Sequence, residues 1–531
     1  MNRREFMQTS VKGGVTASLL PPQTATTARS RPKTSDLPPN ILFIMADQVT
    51  PFMIGPYGQK AAHTPHLDLL ARSGTVFDAA YCGSPLCVPS RMSLWTGRLP
   101  HKIQAYDNAS EFAAHIPTTL HYLRRANYRT VASGKCHFIG PDQAHGFNER
   151  LTPDIFHSDF GPLPDWTLGP VLNKGTDVQT MLRMLGPHKW TKQMGFDQMT
   201  FDRTLARLRE YAMGKHRDQP LFLYVSFTQP HDPYTTTKHY LDLYKDAEIP
   251  LPKAHGNILE LSPTYKWLVT QHGINLVNLS PGKIREARRN YLGMVSWVDD
   301  RIGKLLAELR RLDLDKSFAV FFTSDHGAML GEHGQWSKRY MLEWSSRVPL
   351  IVSAPGRLPA GRRIAAPVSL IDVLPTLADL AGAKIETELD GRSLLPLLKE
   401  TETGDGRVVI AEYLGEGVIE PVRMVRWEQY KYIIVNDYPP QLYDLQADPN
   451  ENANVAGQAK YSQVESRLRG FALRGWDGPA LQRAVLQNQQ SRRVVRSMKD
   501  YGGIPQWEYE PIETGTYDPD SDFIPFTRRE Y

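Results

Sequence analysis

Four short apolar runs constrain the fold of this 531-residue chain more than any other feature. They are Asn40 to Met45, Tyr128 to Ser133, Leu221 to Phe227 and Phe318 to Thr323. Unbroken apolar runs of this length predict strands buried on both faces, as in parallel sheets, not strands with one wet face. Helix-like stretches lie between them, among them Thr204 to Tyr211 and Tyr291 to Arg310. The alternation predicts an α/β fold, with a large, mostly parallel sheet flanked by helices. Each run ends on side chains able to do chemistry: Asp47-Gln48, then Lys135 and His137, then His231, then Asp325-His326. In open α/β sheets ligands bind just beyond the carboxyl ends of the strands. Asp47, Lys135, His137, His231, Asp325 and His326 are therefore expected to line one crevice. Taken singly, each is an ordinary loop residue or cap; the repetition argues for a site.

The chain is long enough for one large domain and a smaller one. Residues 38–400 form the expected N-terminal catalytic domain. Glu400 to Gly406 is a turn-rich break, and β-like runs follow at Val408 to Tyr413, Val422 to Trp427, Tyr430 to Val435 and Gln441 to Leu445. Their close spacing predicts an antiparallel sheet in a C-terminal subdomain, residues 401–531, with a covering helix near Ser462 to Leu473. The aromatic, Pro-rich tail from Asp500 is expected to pack on this subunit or a neighbour. Basic and acidic residues number 62 and 57, for a net charge of +5. That balance is no nucleic-acid footprint, and no apolar run is long enough to span a bilayer. Three cysteines, Cys82, Cys87 and Cys136, make no disulfide framework. Residues 1–37 begin with Arg3-Arg4-Glu5-Phe6 and a mild apolar stretch, which resembles a twin-arginine export signal and implies a periplasmic protein. The alternative is a basic tail on a cytoplasmic protein.

The densest motif is Cys87-Val88-Pro89-Ser90-Arg91, with Thr96-Gly97 as a stop. A cysteine entering a helix meets unpaired N–H groups and the positive end of the helix dipole, a place for a thiolate or a bound oxyanion. Arg91, four residues on, shares that helix face. For an isolated Cys-x-Pro, a buried structural cysteine is the plainer reading.

The full run resembles the signature of the formylglycine sulfatases, in the alkaline phosphatase superfamily. The resemblance implies that a formylglycine-generating maturation enzyme oxidises Cys87 to an aldehyde. The hydrated aldehyde attacks sulfur and then expels sulfate. It further implies one divalent cation held by Asp47, Gln48, Asp325, His326 and the Cys87-derived group. Hard oxygen donors suit Ca²⁺, and His326 leaves Mn²⁺ open. By the same resemblance Lys135 and Lys338 are point charges on sulfate oxygens and His231 protonates the leaving oxygen. His137 takes a proton when sulfate is expelled, and Arg91 holds the nucleophile.

Segments beyond the motifs are similar to choline sulfatases: Tyr106-Asp107-Asn108-Ala109, Gly140-Pro141-Asp142-Gln143, Ser226 to Tyr234, Glu412 to Gly417, Pro439 to Leu445 and Trp507 to Pro511. There the tail implies a homo-oligomer in which it closes a neighbour's site. The chain departs from that pattern at Pro162, where choline sulfatases place a tryptophan against the trimethylammonium group. It departs again over Thr167 to Gly195 and Ala254 to Pro281. Asn108, Trp166 and Glu416 remain as candidate substrate contacts, with Trp507 a possible replacement aromatic. The substrate is expected to be a small-molecule or saccharide sulfate ester, with choline sulfate a poor one. The competing functions are a phosphonate monoester or phosphodiester hydrolase on the same nucleophile, and a non-catalytic anion binder.

Overall fold

A computed structural model of the protein describes residues 38–174, 177–254 and 258–502. The Arg3-Arg4 stretch and the tail from 503, including Trp507, lie outside the described residues.

The central sheet has eight strands. Its middle is Asn40–Ala46, flanked by Phe318–Ser324 and Leu221–Phe227, with Arg129–Gly134 beyond the latter; all four are parallel. These are the four apolar runs, shifted by at most one residue at their ends. Glu149–Arg150 adds a parallel edge, whereas Leu350–Ser353 pairs antiparallel with both Phe318–Ser324 and Thr75–Phe77. Arg362–Ile364 closes that side. These added strands of two to four residues are too short to leave a periodic signature.

Side chains alternate across the sheet, so one run feeds two cores. Ile41, Phe43 and Met45 pack with Met92, Trp95, Leu120 and Leu377 on one face. Leu42, Ile44 and Ala46 pack with Phe201, Leu208, Leu292 and Val295 on the other. The second face is covered by two long helices, Lys192–Ala212 and Pro281–Arg311. Their starts follow from sequence: Thr191 caps one by accepting from the Met194 N–H, and Ser280 caps the other before Pro281.

Val408–Tyr413, Val422–Trp427, Tyr430–Val435 and Gln441–Asp444 form a four-stranded antiparallel sheet. Helix Ser462–Leu473 covers one of its faces through Leu468 and Ala472, against Val425, Trp427 and Leu442. The other face meets the main body in a core containing Tyr81, Trp166, Tyr340, Tyr413, Met424 and Tyr443. Buried charges tie the junction: Lys431 Nζ lies 2.7 Å from Glu343 and 2.8 Å from Glu451. Removing the lysine would strand two buried carboxylates, a cost of about 3–5 kcal/mol.

Candidate active site

Helix Cys87–Thr96 is fully buried and aims its N-terminus at the carboxyl ends of the central strands. Pro89 sits in the first turn, where a missing N–H costs nothing. The helix stops at Gly97, φ 64°, the left-handed cap that Thr96-Gly97 predicts. Ser90 Oγ donates to the Asp325 carbonyl at 2.5 Å and so fastens the first turn to the loop after strand Phe318–Ser324.

Around Cys87 the structure gathers the residues expected from the strand ends. Cys87 Sγ lies 3.3 Å from His326 Nε2, 3.3 Å from Lys338 Nζ and 4.0 Å from Asp47 Oδ1. Lys135 Nζ is ion-paired with Asp47 Oδ2. His137, φ 56°, follows Lys135 by two residues, and its backbone N–H donates to Asp154 Oδ2 at 2.8 Å. His231 Nε2 is 2.7 Å from Lys338 Nζ, which also donates to Gln48 Oε1 at 3.1 Å. Two glycines make these approaches possible. A Cβ on Gly134, φ 97°, would collide with the Ser226 carbonyl, just before Lys135. One on Gly327 would collide with the Trp344 carbonyl, just after His326.

The imidazole tautomers follow from their partners. His326 Nδ1 lies 3.1 Å from the Gly327 carbonyl and His231 Nδ1 lies 2.6 Å from the Asp232 carbonyl. A carbonyl only accepts, so each Nδ1 carries the proton and each Nε2 is left to face the site.

Arg91 is placed differently from its expected role. Nε donates to Asp325 Oδ2 at 3.0 Å, Nη2 to Asp47 Oδ2 at 3.3 Å, and Nη1 to the Lys135 carbonyl, Tyr224 Oη and Ser226 Oγ. Its hydrogen bonds orient the two carboxylates rather than the thiol. With those carboxylates as partners it overcomes its burial, and its pKa is raised well above the usual value.

Arg91 and Lys135 are thus paired with Asp47 and Asp325, whereas Lys338 meets Gln48, Cys87 and His231, all of them buried. Burial opposes ionisation of Cys87, but Lys135, Lys338 and His326 more than offset it and hold the thiol well below its usual range. Burial likewise opposes the Asp47 carboxylate, and Lys135, His231 and Lys338 outweigh it to hold its pKa low. Burial and then Lys135 lower the His137 pKa, which keeps that ring neutral.

Asp47, Cys87, Asp325 and His326 present ligand atoms within 4.8 Å of one another, all buried. Two carboxylates and an imidazole with its lone pair fixed inward fit a divalent cation. Gln48, φ 68°, holds its N–H 3.1 Å from Asp325 Oδ1 and lends its side-chain oxygen to Lys338.

The candidate substrate residues lie to one side. Asn108 Oδ1 accepts from the Val88 N–H at 3.1 Å, and its amide lies 3.5 Å from Glu416 Oε1. Trp166 is only 5% exposed, with its indole N–H on the Gly415 carbonyl at 2.9 Å. Sequence reasoning missed Phe156, whose ring stacks on His137 at 4.4 Å, lies 4.2 Å from Lys135 Nζ and 6.3 Å from His231. It also missed Arg339, 2.8 Å from Glu416. Neither carries a local signal: each is one loop residue made relevant by distant chain.

The sequence matches the profile of the sulfatase family over residues 39–383, and that of the N-sulphoglucosamine sulphohydrolase C-terminal region over residues 331–473. It is 36% identical over 493 residues to a choline-sulfatase of Rhizobium meliloti (strain 1021), covering 90% of this chain and 94% of that one. It is 28% identical over 451 residues to arylsulfatase K of Gallus gallus, covering 81% of each. Among solved structures, the phosphonate monoester hydrolase of Agrobacterium radiobacter superposes with a TM-score of 0.68 at 22% identity, over 84% of this chain and 96% of that one. That last likeness establishes the fold alone. With the profile covering most of the chain and a relative aligned almost end to end, the protein belongs to the sulfatase family and is a sulfuric ester hydrolase.

Proposed function

We propose that the protein hydrolyses organic sulfate monoesters with a formylglycine made from Cys87 and one divalent cation, Ca²⁺ in preference to Mn²⁺. The observation that carries this reading is the position of Cys87 Sγ, at a helix N-terminus and 3.3 Å from both His326 and Lys338.

Asp47, Gln48, Asp325 and His326 would hold the cation, which when bound orients the nucleophile and neutralises charge on a sulfate oxygen. The hydrated aldehyde supplies one hydroxyl to attack sulfur and a second whose deprotonation expels sulfate. Arg91 fixes the Asp47 and Asp325 carboxylates. Lys135 and Lys338 offer point charges to sulfate oxygens, where preorganised charge stabilises the transition state. His231, its ring oriented by the Asp232 carbonyl, protonates the leaving oxygen from Nε2. His137, kept neutral by burial and Lys135, accepts the proton released with sulfate. Phe156 holds the His137 ring and keeps water from that side.

Asn108 and Glu416 face the leaving group, and choline sulfate is a poor substrate because Pro162 has no aromatic face. Turnover of matched sulfate, phosphate and phosphonate esters by matured enzyme tests the reading. Sulfate esters should lead; phosphonate or phosphodiester turnover outrunning them would contradict it. Among the described residues no helix is long and apolar enough to cross a membrane. We read Arg3-Arg4 as an export signal, and Lys at both positions should retain the protein in the cytoplasm. The tail implies a homo-oligomer, which sedimentation would test.

A further inference from the structure

Resting on the sulfatase reading, we propose that Arg339 sets the charge selectivity of the leaving-group side. By taking Glu416 Oε1 into an ion pair it offsets that carboxylate's charge, so a cationic alcohol gains little there and the substrates are sulfate esters of uncharged alcohols.

A quaternary ammonium has no N–H to donate, so it is recognised by aromatic faces and by unpaired carboxylates. Glu416 is the carboxylate placed to serve: Asn108 links it to the Val88 N–H, one residue from Cys87. Arg339, directly after Lys338, takes it first. Its Nη2 is 2.8 Å from Glu416 Oε1, with the two side chains 5% and 12% exposed. The arginine is fixed from below as well: its backbone N–H donates to the Pro85 carbonyl at 3.1 Å, and its φ is 87°. A desolvated pair of this kind does not open cheaply, because either partner alone is a buried, uncompensated charge.

The neighbouring carboxylates are arranged alike. Asp107 is bidentate with Arg492 at 2.6 and 2.7 Å, and Asp165 meets Arg493 at 2.7 Å; both arginines lie on helix Gly478–Ser497. Gln489 of the same helix accepts from the Trp166 backbone N–H at 3.0 Å and helps hold that residue in the core. A cationic alcohol would give up its hydration here without a carboxylate in return, whereas an uncharged alcohol gives up little.

The test compares choline sulfate with 3,3-dimethylbutyl sulfate, in which carbon replaces the quaternary nitrogen, on full-length matured enzyme. The ratio of kcat/KM, cationic over neutral, is expected to lie about tenfold below one in the unaltered protein. Arg339→Met should raise it by about tenfold, the scale of one cation–carboxylate or cation–π contact in a partly desolvated site. The double variant Arg339→Met/Glu416→Gln should bring it back. A tenfold preference for choline sulfate in the unaltered enzyme would overturn the proposal even if no variant folds. So would an unmoved ratio in Arg339→Met, or a double variant that keeps the raised ratio. Inactivity on every sulfate ester, aryl sulfates included, would instead sink the sulfatase reading on which the proposal stands.

Discussion

On the proposed sulfate side Arg91 and Lys135 pair with Asp47 and Asp325 while Lys338 meets Gln48, Cys87 and His231, whereas on the proposed leaving-group side Glu416, Asp107 and Asp165 each meet an arginine. The first arrangement leaves Lys338 on neutral partners and the thiol, and it is built from residues just past strand ends, one helix start and the loop that carries Lys338. In the second each of the three arginines has its carboxylate, and it is built from five separated stretches of chain: Asp107-Asn108, Asp165-Trp166, Arg339, Glu416 and helix Gly478–Ser497. A lysine not tied to a carboxylate suits a group every substrate of this enzyme shares, the sulfate. A neutralised wall suits a group that varies, the alcohol. Changes on the first side should therefore strike all substrates equally, and changes on the second should reorder them.

Cys87→Ala should give the largest effect, a loss of at least about 10⁴-fold in kcat on every sulfate ester, as for removal of a nucleophile. The thermal midpoint should barely move, because the side chain is small. A residual rate that differs between esters would blur the distinction between the two sides. Asp325→Asn comes next. It keeps the size but removes a charge from the cation site and turns one of two oxygens, which accept from Arg91 and from the Gln48 and His326 N–H groups, into a donor, so metal content by elemental analysis should fall below one equivalent. Activity should drop about 10³-fold, again without regard to the alcohol. Normal metal content in that variant would refute the assignment. Asn108→Ala should be mildest, about tenfold in kcat/KM, since it frees a helix-start N–H and loosens Glu416. Here the loss should differ between alcohols and sit mainly in KM; a uniform loss in kcat would move Asn108 to the sulfate side.

The same contrast explains what could be read from the sequence. Buried strands announce themselves as apolar runs, and Asp47, Lys135, His137, His231 and Asp325-His326 follow them at fixed short distances. Their convergence is a consequence of parallel topology. Cys87 and Arg91 belong to one turn of one helix, so their proximity was also local. The finer duty of Arg91 was not legible: which atoms a guanidinium meets depends on Tyr224, Ser226 and Asp325, more than a hundred residues away. Arg339, beside Lys338, carries no local signal of its own. Its meaning depends on Glu416, 77 positions on, and no pattern within the loop encodes that pairing. Trp166 was legible as an aromatic near the site, yet the core that buries it draws on Tyr81, Tyr340 and Tyr413 and leaves little of the ring open.

The central claim is that Cys87, in its modified form, is the nucleophile. The most direct test is mass analysis of the peptide carrying Cys87, taken from protein made with a maturation enzyme and, in parallel, without one, with sulfate-ester turnover measured on each preparation. The account predicts an aldehyde in place of the thiol, and activity that rises in proportion to its fraction. A preparation with an intact thiol on every molecule and full activity would contradict it.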